Sequence, residues 1–264
     1  MSWELIDWSI IGPALIAGLL ILSTHVPLGQ MVLKRGIIFI DLAIAQIAGL
    51  GVIGAEVVTG VEHGWLVQVA AVSAALIAAA VLNWTDKHWP KSQEALIGIL
   101  FVLAATGSIL LLAENPHGGE HLKDLLVGQI LWSTWDSLIP IALLYAVLLG
   151  IWFTMHERIG RLGFYVVFAC AVTASVQLVG VYLVFASLII PALASMNLEE
   201  NRRLPVGYSI GAISYFLGIV LSALLDLPTG AVIVWSLATV SILAAFVVKR
   251  KWPDKGISDS DPST

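Results

Sequence analysis

The chain has 264 residues, of which 59 % are apolar and only 12 % are charged, and its formal net charge is −5. This composition excludes a soluble domain. The apolar residues fall into runs of about 17–22, the length that crosses the hydrocarbon core as a helix, whereas a β-barrel would show alternating strands. We therefore predict an all-α polytopic membrane protein, with lipid around it and no nucleic acid as a partner.

Nine apolar spans follow one another along the chain. Their expected bounds are 8–30, 37–58, 65–83, 94–113, 137–155, 164–179, 181–196, 206–225 and 231–248. They make one transmembrane permease domain over residues 1–248, followed by a polar, disordered, cytoplasmic tail over residues 249–264. The acidic N-terminus lacks the basic region of a cleaved signal peptide, so we expect the first span to remain in the protein.

The connections between the spans predict the orientation. Nearly all Lys and Arg residues lie in alternate connections and in the tail, and the intervening connections contain a single Lys. Because basic connections stay in the cytoplasm, the N-terminus is expected outside and the C-terminus inside.

Residues 164–196 are the difficult segment, since they are too long for one pass and short for two. A single pass would place Arg202 and Arg203 outside, against the charge rule. We therefore expect two passes, or a pass and a re-entrant half-helix, that turn near Gly180. The total is about nine spans, with eight as the alternative.

Two motif matches lie inside membrane runs. Residues 49–54 fit G-x-G-x-x-G, but no strand precedes them, so close helix packing is the better interpretation. Residues 207–211 fit G-x-S-x-G, but no histidine follows in the later spans to act as a base. A P-loop motif is absent from the sequence, so we expect any ATP hydrolysis on a separate subunit and no enzymatic activity in this chain.

Asp41 is the main polar residue in the membrane runs. Small residues at positions i+4, i+7 and i+8 share its helix face, which places the carboxylate towards other helices or a cavity. An acid inside a membrane is a functional-site hypothesis by default. The alternative is an ion pair with Lys34 or Arg35 near the cytoplasmic interface.

Other polar residues extend this hypothesis to a metal or proton path. His25 lies in the preceding antiparallel span at a similar expected depth, although a lone histidine is often a satisfied structural group. Gln46 lies about 140° round an ideal helix from Asp41, so the two can share an ion only on a distorted helix. His117 and His121, in the outer connection 114–124, either capture metal or belong to a solvated loop.

Three segments carry a family resemblance. "PLGQMVLKRGIIFIDLAIAQIAGLG" resembles the second-helix region of permease subunits of zinc, manganese and iron ABC importers, and residues 126–132 and 176–195 resemble two further segments of that family. The resemblance runs over about residues 8–248. It implies a permease homodimer, an ABC ATPase subunit on the cytoplasmic side and an extracytoplasmic metal-binding protein. It also implies that Asp41 is the metal-site aspartate and that the transported metal is the only ion bound, without a cofactor.

The chain departs from that family at two places. The histidine that the resemblance implies would fall on Ala45, or on Gln46 with a one-residue shift, and is missing. Its loss should weaken zinc binding most, because oxygen ligands would remain; we hypothesise that His25 substitutes. The family also has a longer cytoplasmic segment that docks on the ATPase, of which only residues 155–163 remain here.

The sequence thus predicts a permease subunit of an ATP-driven importer of zinc, manganese or iron in the inner (cell) membrane. Asp41 is the first candidate for the metal path, followed by His25 and Gln46, with His117 and His121 at the outer entrance. Three alternatives stay open: an ATP-independent carrier or channel, a membrane-embedded enzyme, and a scaffold that does not transport.

Overall fold

The computed structural model describes residues 8–60, 64–113, 118–155 and 160–251, which form ten α-helices and no strand. The helices are α1 (Trp8–Arg35), α2 (Ile40–Thr59), α3 (Trp65–His88), α4 (Gln93–Leu111), α5 (Gly118–Val127), α6 (Trp135–Met155), α7 (Gly160–Val179), α8 (Val181–Ser195), α9 (Glu200–Leu225) and α10 (Thr229–Lys251). Single 3-10 turns precede α4 and follow α5. The all-α prediction is confirmed for this part of the chain.

Eight helices in the described ranges are long and apolar enough to cross a membrane. The exceptions are α5, with 10 residues, and α8, with 15. A helix of that second length rises about 22 Å, less than the roughly 30 Å of the hydrocarbon core. By length, the count for the described residues is therefore eight, because the predicted span 181–196 corresponds to the short helix α8.

Contacts define the two ends of the helix bundle. Gln68, Ser137 and Gln177, near the start of α3, the start of α6 and the end of α7, line one common cleft. We call this the predicted outer end. At the opposite end, the predicted cytoplasmic end, the Arg161 Nε lies 3.3 Å from an Asp86 carboxylate oxygen, and Nη1 donates to the Asp86 carbonyl at 3.0 Å. Which end faces outwards stays a prediction.

The turn between α7 and α8 lies at Gly180, as expected. Gly180 has φ +79°, and a Cβ there would lie 2.6 Å from the Val127 carbonyl carbon and 2.8 Å from the Gly128 Cα. From this turn α8 runs to the predicted cytoplasmic end, where Met196 lines a second cleft together with Lys34. Although α8 is short, it therefore connects both ends of the bundle, which supports the predicted pair of passes.

The core lies between α1, α7 and α8, the helices with the most buried residues. Helix α1 packs on α8 and α9, and α2 packs on α3 and α4. The motif glycines lie in these contacts: a Cβ on Gly51 would be 2.8 Å from the Ala74 Cβ, and one on Gly211 would be 2.8 Å from the Leu22 Cδ1. These close approaches support helix packing as the reason for both glycine motifs.

The predicted domain boundary at residue 248 is not marked by a change in the backbone. Helix α10 continues to Lys251, and residues 252–264 lie outside the described residues. The division into a permease domain and a disordered tail therefore stays a prediction.

Candidate functional site

Asp41 is the second residue of α2, closer to the helix start than the predicted span bounds implied. Helix α1 continues through Arg35, and the chain turns at Gly36 (φ +69°) before α2 begins at Ile40. The Asp41 side chain is 0 % exposed. In the first turn of a helix a negative charge is favoured by the helix dipole, which offsets part of the cost of burial.

The Asp41 carboxylate is unpartnered within the described residues, where neither oxygen accepts a hydrogen bond and no ion pair forms. The predicted alternative, an ion pair with Lys34 or Arg35, is therefore not formed in this structure. The Arg35 guanidinium instead lies 4.1 Å from the centre of the Phe164 ring, in a cation–π contact. Burying an unpaired carboxylate costs several kcal/mol, so Asp41 lowers the stability of the fold.

Two neighbouring helices hold the segment that leads into Asp41. The Phe39 N–H donates to the Glu94 Oε1 of α4 at 3.2 Å, and the Phe39 ring stacks on Phe185 of α8, with centroids 6.4 Å apart and an interplanar angle of 9°. The start of α2 is thus fixed by contacts from α4 and α8, which orients the carboxylate in the bundle.

His25 is also fully buried, but both of its ring nitrogens already have partners. Nδ1 lies 3.0 Å from the Ile21 carbonyl and 3.0 Å from the Thr24 hydroxyl, and Nε2 lies 3.1 Å from the Ser175 hydroxyl. A carbonyl only accepts, so Nδ1 carries the proton of a neutral ring. The Ser175 hydroxyl has one hydrogen and two acceptors within reach, the His25 Nε2 and the Ala171 carbonyl. His25 can bind a metal through Nε2 only after losing Ser175.

Tyr145 of α6 extends the hydrogen bonds around His25 through Ser175. Its hydroxyl donates to the Ser175 Oγ at 2.9 Å and lies 3.1 Å from the Ala171 carbonyl. We call His25, Ser175 and Tyr145 the core polar network. Sequence reasoning missed Ser175 and Tyr145, whose one signal is a polar side chain inside an apolar run.

The similar depth expected for His25 and Asp41 in adjoining spans does not produce direct contact. Within the described residues no hydrogen bond or ion pair joins the two side chains, because α1 and α2 pack mainly against different helices. Gln46 is buried on α2, on a different face from Asp41 as the spacing predicts, and is not a partner of its carboxylate.

The two loop histidines cannot be placed in the site. His117 lies outside the described residues, and His121 lies in α5 with its side chain outside them. In the part of the chain that the structure describes, no three His, Cys, Asp or Glu residues form a group that could hold a metal ion. The metal-ligand roles of all five candidates therefore stay predictions.

Known proteins resemble this chain in sequence and in fold. The manganese transport system membrane protein MntC of Halalkalibacterium halodurans is 28 % identical, covering 96 % of this chain and 94 % of that protein. The high-affinity zinc uptake system membrane protein ZnuB of Haemophilus influenzae is 23 % identical, covering 92 % and 99 %. The structure of PsaBC from Streptococcus pneumoniae in complex with Fab has a similar fold, with a TM-score of 0.74 at 19 % identity, covering 96 % of this chain and 100 % of that one.

The model of the ABC 3 transport family matches residues 7–159 and 153–248. The two matched pieces overlap at residues 153–159, which include the end of α6 and the connection that the sequence predicts to be shortened. The match covers nearly all of the apolar sequence, and eight helices in the described part of the chain are long and apolar enough to span a membrane. This chain therefore belongs to the ABC 3 transport family, as a multi-pass transport subunit of the cell membrane and not an enzyme.

Proposed function

We propose that the chain is the permease subunit of an ATP-driven importer that moves a divalent transition-metal ion, zinc, manganese or iron, across the cell membrane. The observation that carries this proposal is Asp41, a fully buried carboxylate without a partner among the described residues. In a transport subunit, a buried and unpaired acid is best explained as a binding group for a passing cation.

The donor atoms favour manganese among the three metals. Asp41 offers oxygen, the position of the expected histidine holds Ala45 or Gln46, and both nitrogens of His25 are engaged. Carboxylate and carbonyl oxygens suit manganese, whereas zinc gains most from imidazole or thiolate. We therefore assign Asp41 to the metal path and His25 to the core polar network.

Family membership supports a proposal for the remaining parts of the transporter. We propose a cytoplasmic ABC ATPase subunit, an extracytoplasmic metal-binding protein and a second copy of the permease, which would complete a ligand set that one chain does not show among its described residues. Gln46, His117 and His121 are proposed as further contacts along the path.

Metal uptake into proteoliposomes tests the proposal. The chain is reconstituted with its ATPase and binding protein, and zinc, manganese and iron are supplied in turn with and without ATP. We expect ATP-dependent uptake, strongest for manganese, that is lost in Asp41→Asn and partly kept in Asp41→Glu. The matched control is Asp226→Asn, the same change at an exposed residue whose left-handed backbone (φ 52°) asparagine tolerates.

Other outcomes would identify the alternatives. Uptake without ATP would indicate a secondary carrier or channel. Uptake that survives Asp41→Asn would place the metal path elsewhere in the bundle. No uptake of zinc, manganese or iron, with a working ATPase and binding protein, would indicate a scaffold that does not transport.

A further inference from the structure

A cleft of about 590 Å³ opens between α3, α6 and α7. Its volume falls within the roughly 300–1,000 Å³ that small-molecule sites occupy. None of its lining residues belongs to the core polar network or to the metal path proposed above. The cleft is therefore distinct from the core polar network and from the proposed metal path.

The lining changes from polar to apolar with depth. Gln68 and Ser137 lie in the first turns of α3 and α6, and Gln177 lies in the last turn of α7, so all three are at the predicted outer end. Most deeper positions are apolar, including Val72 and Leu144, and Thr173 is the polar exception. This sequence of groups matches an amphiphile that enters tail first.

The depth of the cleft is close to that of one leaflet of a bilayer. On α6 the lining runs from Ser137 to Leu144, which is about 11 Å at 1.5 Å per residue, and on α7 it runs from Cys170 to Leu178, about 12 Å. Half of the hydrocarbon core is about 15 Å. The cleft is therefore long enough for the ester group and the first part of one acyl chain of an outer-leaflet lipid.

Exposed tryptophans indicate the level of the mouth. Trp65 and Trp135, at the starts of α3 and α6, are 73 % and 57 % exposed. Tryptophan concentrates where the acyl chains meet the headgroups. Gln68 and Ser137, within one turn of these residues, are thus placed to meet the glycerol and the headgroup of a lipid.

Thr173 provides a specific polar contact inside the cleft. Its side chain is 2 % exposed, lines the cleft, and its hydroxyl has no hydrogen-bond partner among the described residues. A buried hydroxyl without a partner is unfavourable. Thr173 lies six residues from the end of α7, about 9 Å below it, where the ester carbonyl of an inserted lipid could accept its hydrogen.

We propose that this cleft is a specific binding site for one acyl chain of an outer-leaflet phospholipid. The Thr173 hydroxyl donates to the ester carbonyl, and Gln68, Ser137 and Gln177 contact the glycerol and the headgroup. This inference does not depend on the proposed metal transport, since it rests on other residues and on a different surface of the bundle.

Cys170 makes the proposal testable without a reporter mutation. It is the single cysteine of the chain, it is half-buried, and it lies in the wall of the cleft. The experiment measures the rate at which a membrane-permeant maleimide labels Cys170 in the full-length, delipidated chain in detergent, as phosphatidylglycerol is titrated in. The matched control is Leu143→Cys in a Cys170→Ser background, because Leu143 is 65 % exposed on α6 outside the cleft.

We expect phospholipid to slow the labelling of Cys170 saturably and by at least about tenfold, while labelling at position 143 changes little. Thr173→Val, which removes only the hydroxyl, should require about tenfold more lipid for equal protection, as expected for one lost hydrogen bond. Thr173→Ser should restore the wild-type titration. Ala174→Phe, which fills the cleft, should make labelling insensitive to lipid, and each variant is first checked for the wild-type thermal transition.

Three results would overturn the proposal. The first is equal slowing at Cys170 and at position 143, which means general partitioning of the reagent. The second is an unchanged lipid titration in folded Thr173→Val. The third is efficient cross-linking of Cys170 to Cys170 of another chain in native membranes, which would mean that a second copy covers the cleft.

Discussion

Folding and transport make different demands on the residue at position 41. Its carboxylate is buried and unpartnered among the described residues, so it contributes a cost to the fold and no compensating contact. A residue with a purely structural role would be expected to make contacts that stabilise the fold. Stability measurements can therefore distinguish the two roles without any transport assay.

We predict that Asp41→Asn leaves thermal stability unchanged or raises it, because the substitution removes a buried charge and keeps the shape of the side chain. The measurement is the unfolding temperature of the purified protein in detergent. A clear loss of stability would show that the carboxylate has a structural partner, and would weaken its assignment to the metal path.

The core polar network should behave in the opposite way. We expect Tyr145→Phe to destabilise the protein by about 1–3 kcal/mol, because it removes the donor to Ser175 and leaves a buried acceptor unpaired. A double-mutant cycle of His25→Ala and Ser175→Ala, read by thermal unfolding, should give a coupling energy of about 0.5–3 kcal/mol. Additive effects, together with a raised KM for the metal in His25→Ala, would instead make His25 a ligand.

For individual residues, the sequence indicates which polar side chains are buried, but not which groups they contact. Asp41, His25 and Gln46 stand out because each interrupts an apolar run. The contact between His25 and Ser175 joins residues 150 positions apart, and that between Tyr145 and Ser175 joins residues 30 apart. Such pairs depend on the packing of α1, α6 and α7, which hydropathy does not contain.

Among the elements, the Gly128–Gly180 contact is the most sensitive to substitution. Both glycines have positive φ, and a side chain on Gly128 would meet the Val179 backbone. We predict that Gly128→Ala and Gly180→Ala each destabilise the protein by more than Gly36→Ala. At Gly36 φ is also positive (+69°), but open space surrounds the new Cβ, so about 1–2 kcal/mol of backbone strain is the only cost.

Thermal unfolding of the three variants measures this difference. Equal destabilisation in all three would show that backbone strain alone matters and that the approach of the two turns does not contribute. The comparison isolates packing, because the conformational cost of alanine is matched.

The helices lie where the apolar runs predict them, but several extend beyond the ends of those runs. Helices α1, α3 and α9 extend past the predicted spans to include Lys34 and Arg35, Lys87 and His88, and Arg202 and Arg203. Charged ends are compatible with helix outside the hydrocarbon, so hydropathy underestimates helix length. Helix α5 was not expected, because its 10 residues are amphipathic and follow a polar connection.

For the whole molecule, the distribution of basic residues gives a prediction of orientation. Exposed Glu199 and Asp226 lie at opposite ends of α9, in the predicted cytoplasmic and outer connections. In a Cys170→Ser background, we expect a membrane-impermeant maleimide to label Asp226→Cys in intact cells, and to label Glu199→Cys only after the membrane is permeabilised. The reverse labelling pattern would show that the protein has the opposite orientation in the membrane.

The single-residue turn at Gly180 also bears on how the chain enters the bilayer during synthesis. The Gly180 N–H donates to the Val176 carbonyl at 2.8 Å, and the Gly180 carbonyl accepts from the Val184 N–H at 3.2 Å, so the polar backbone of the turn is satisfied by its own two helices. With one residue between them and only 15 residues in α8, the two helices have no room to insert in turn. Helices α7 and α8 should therefore leave the translocation channel together, as a hairpin, before the segment around Gly128 closes over its tip.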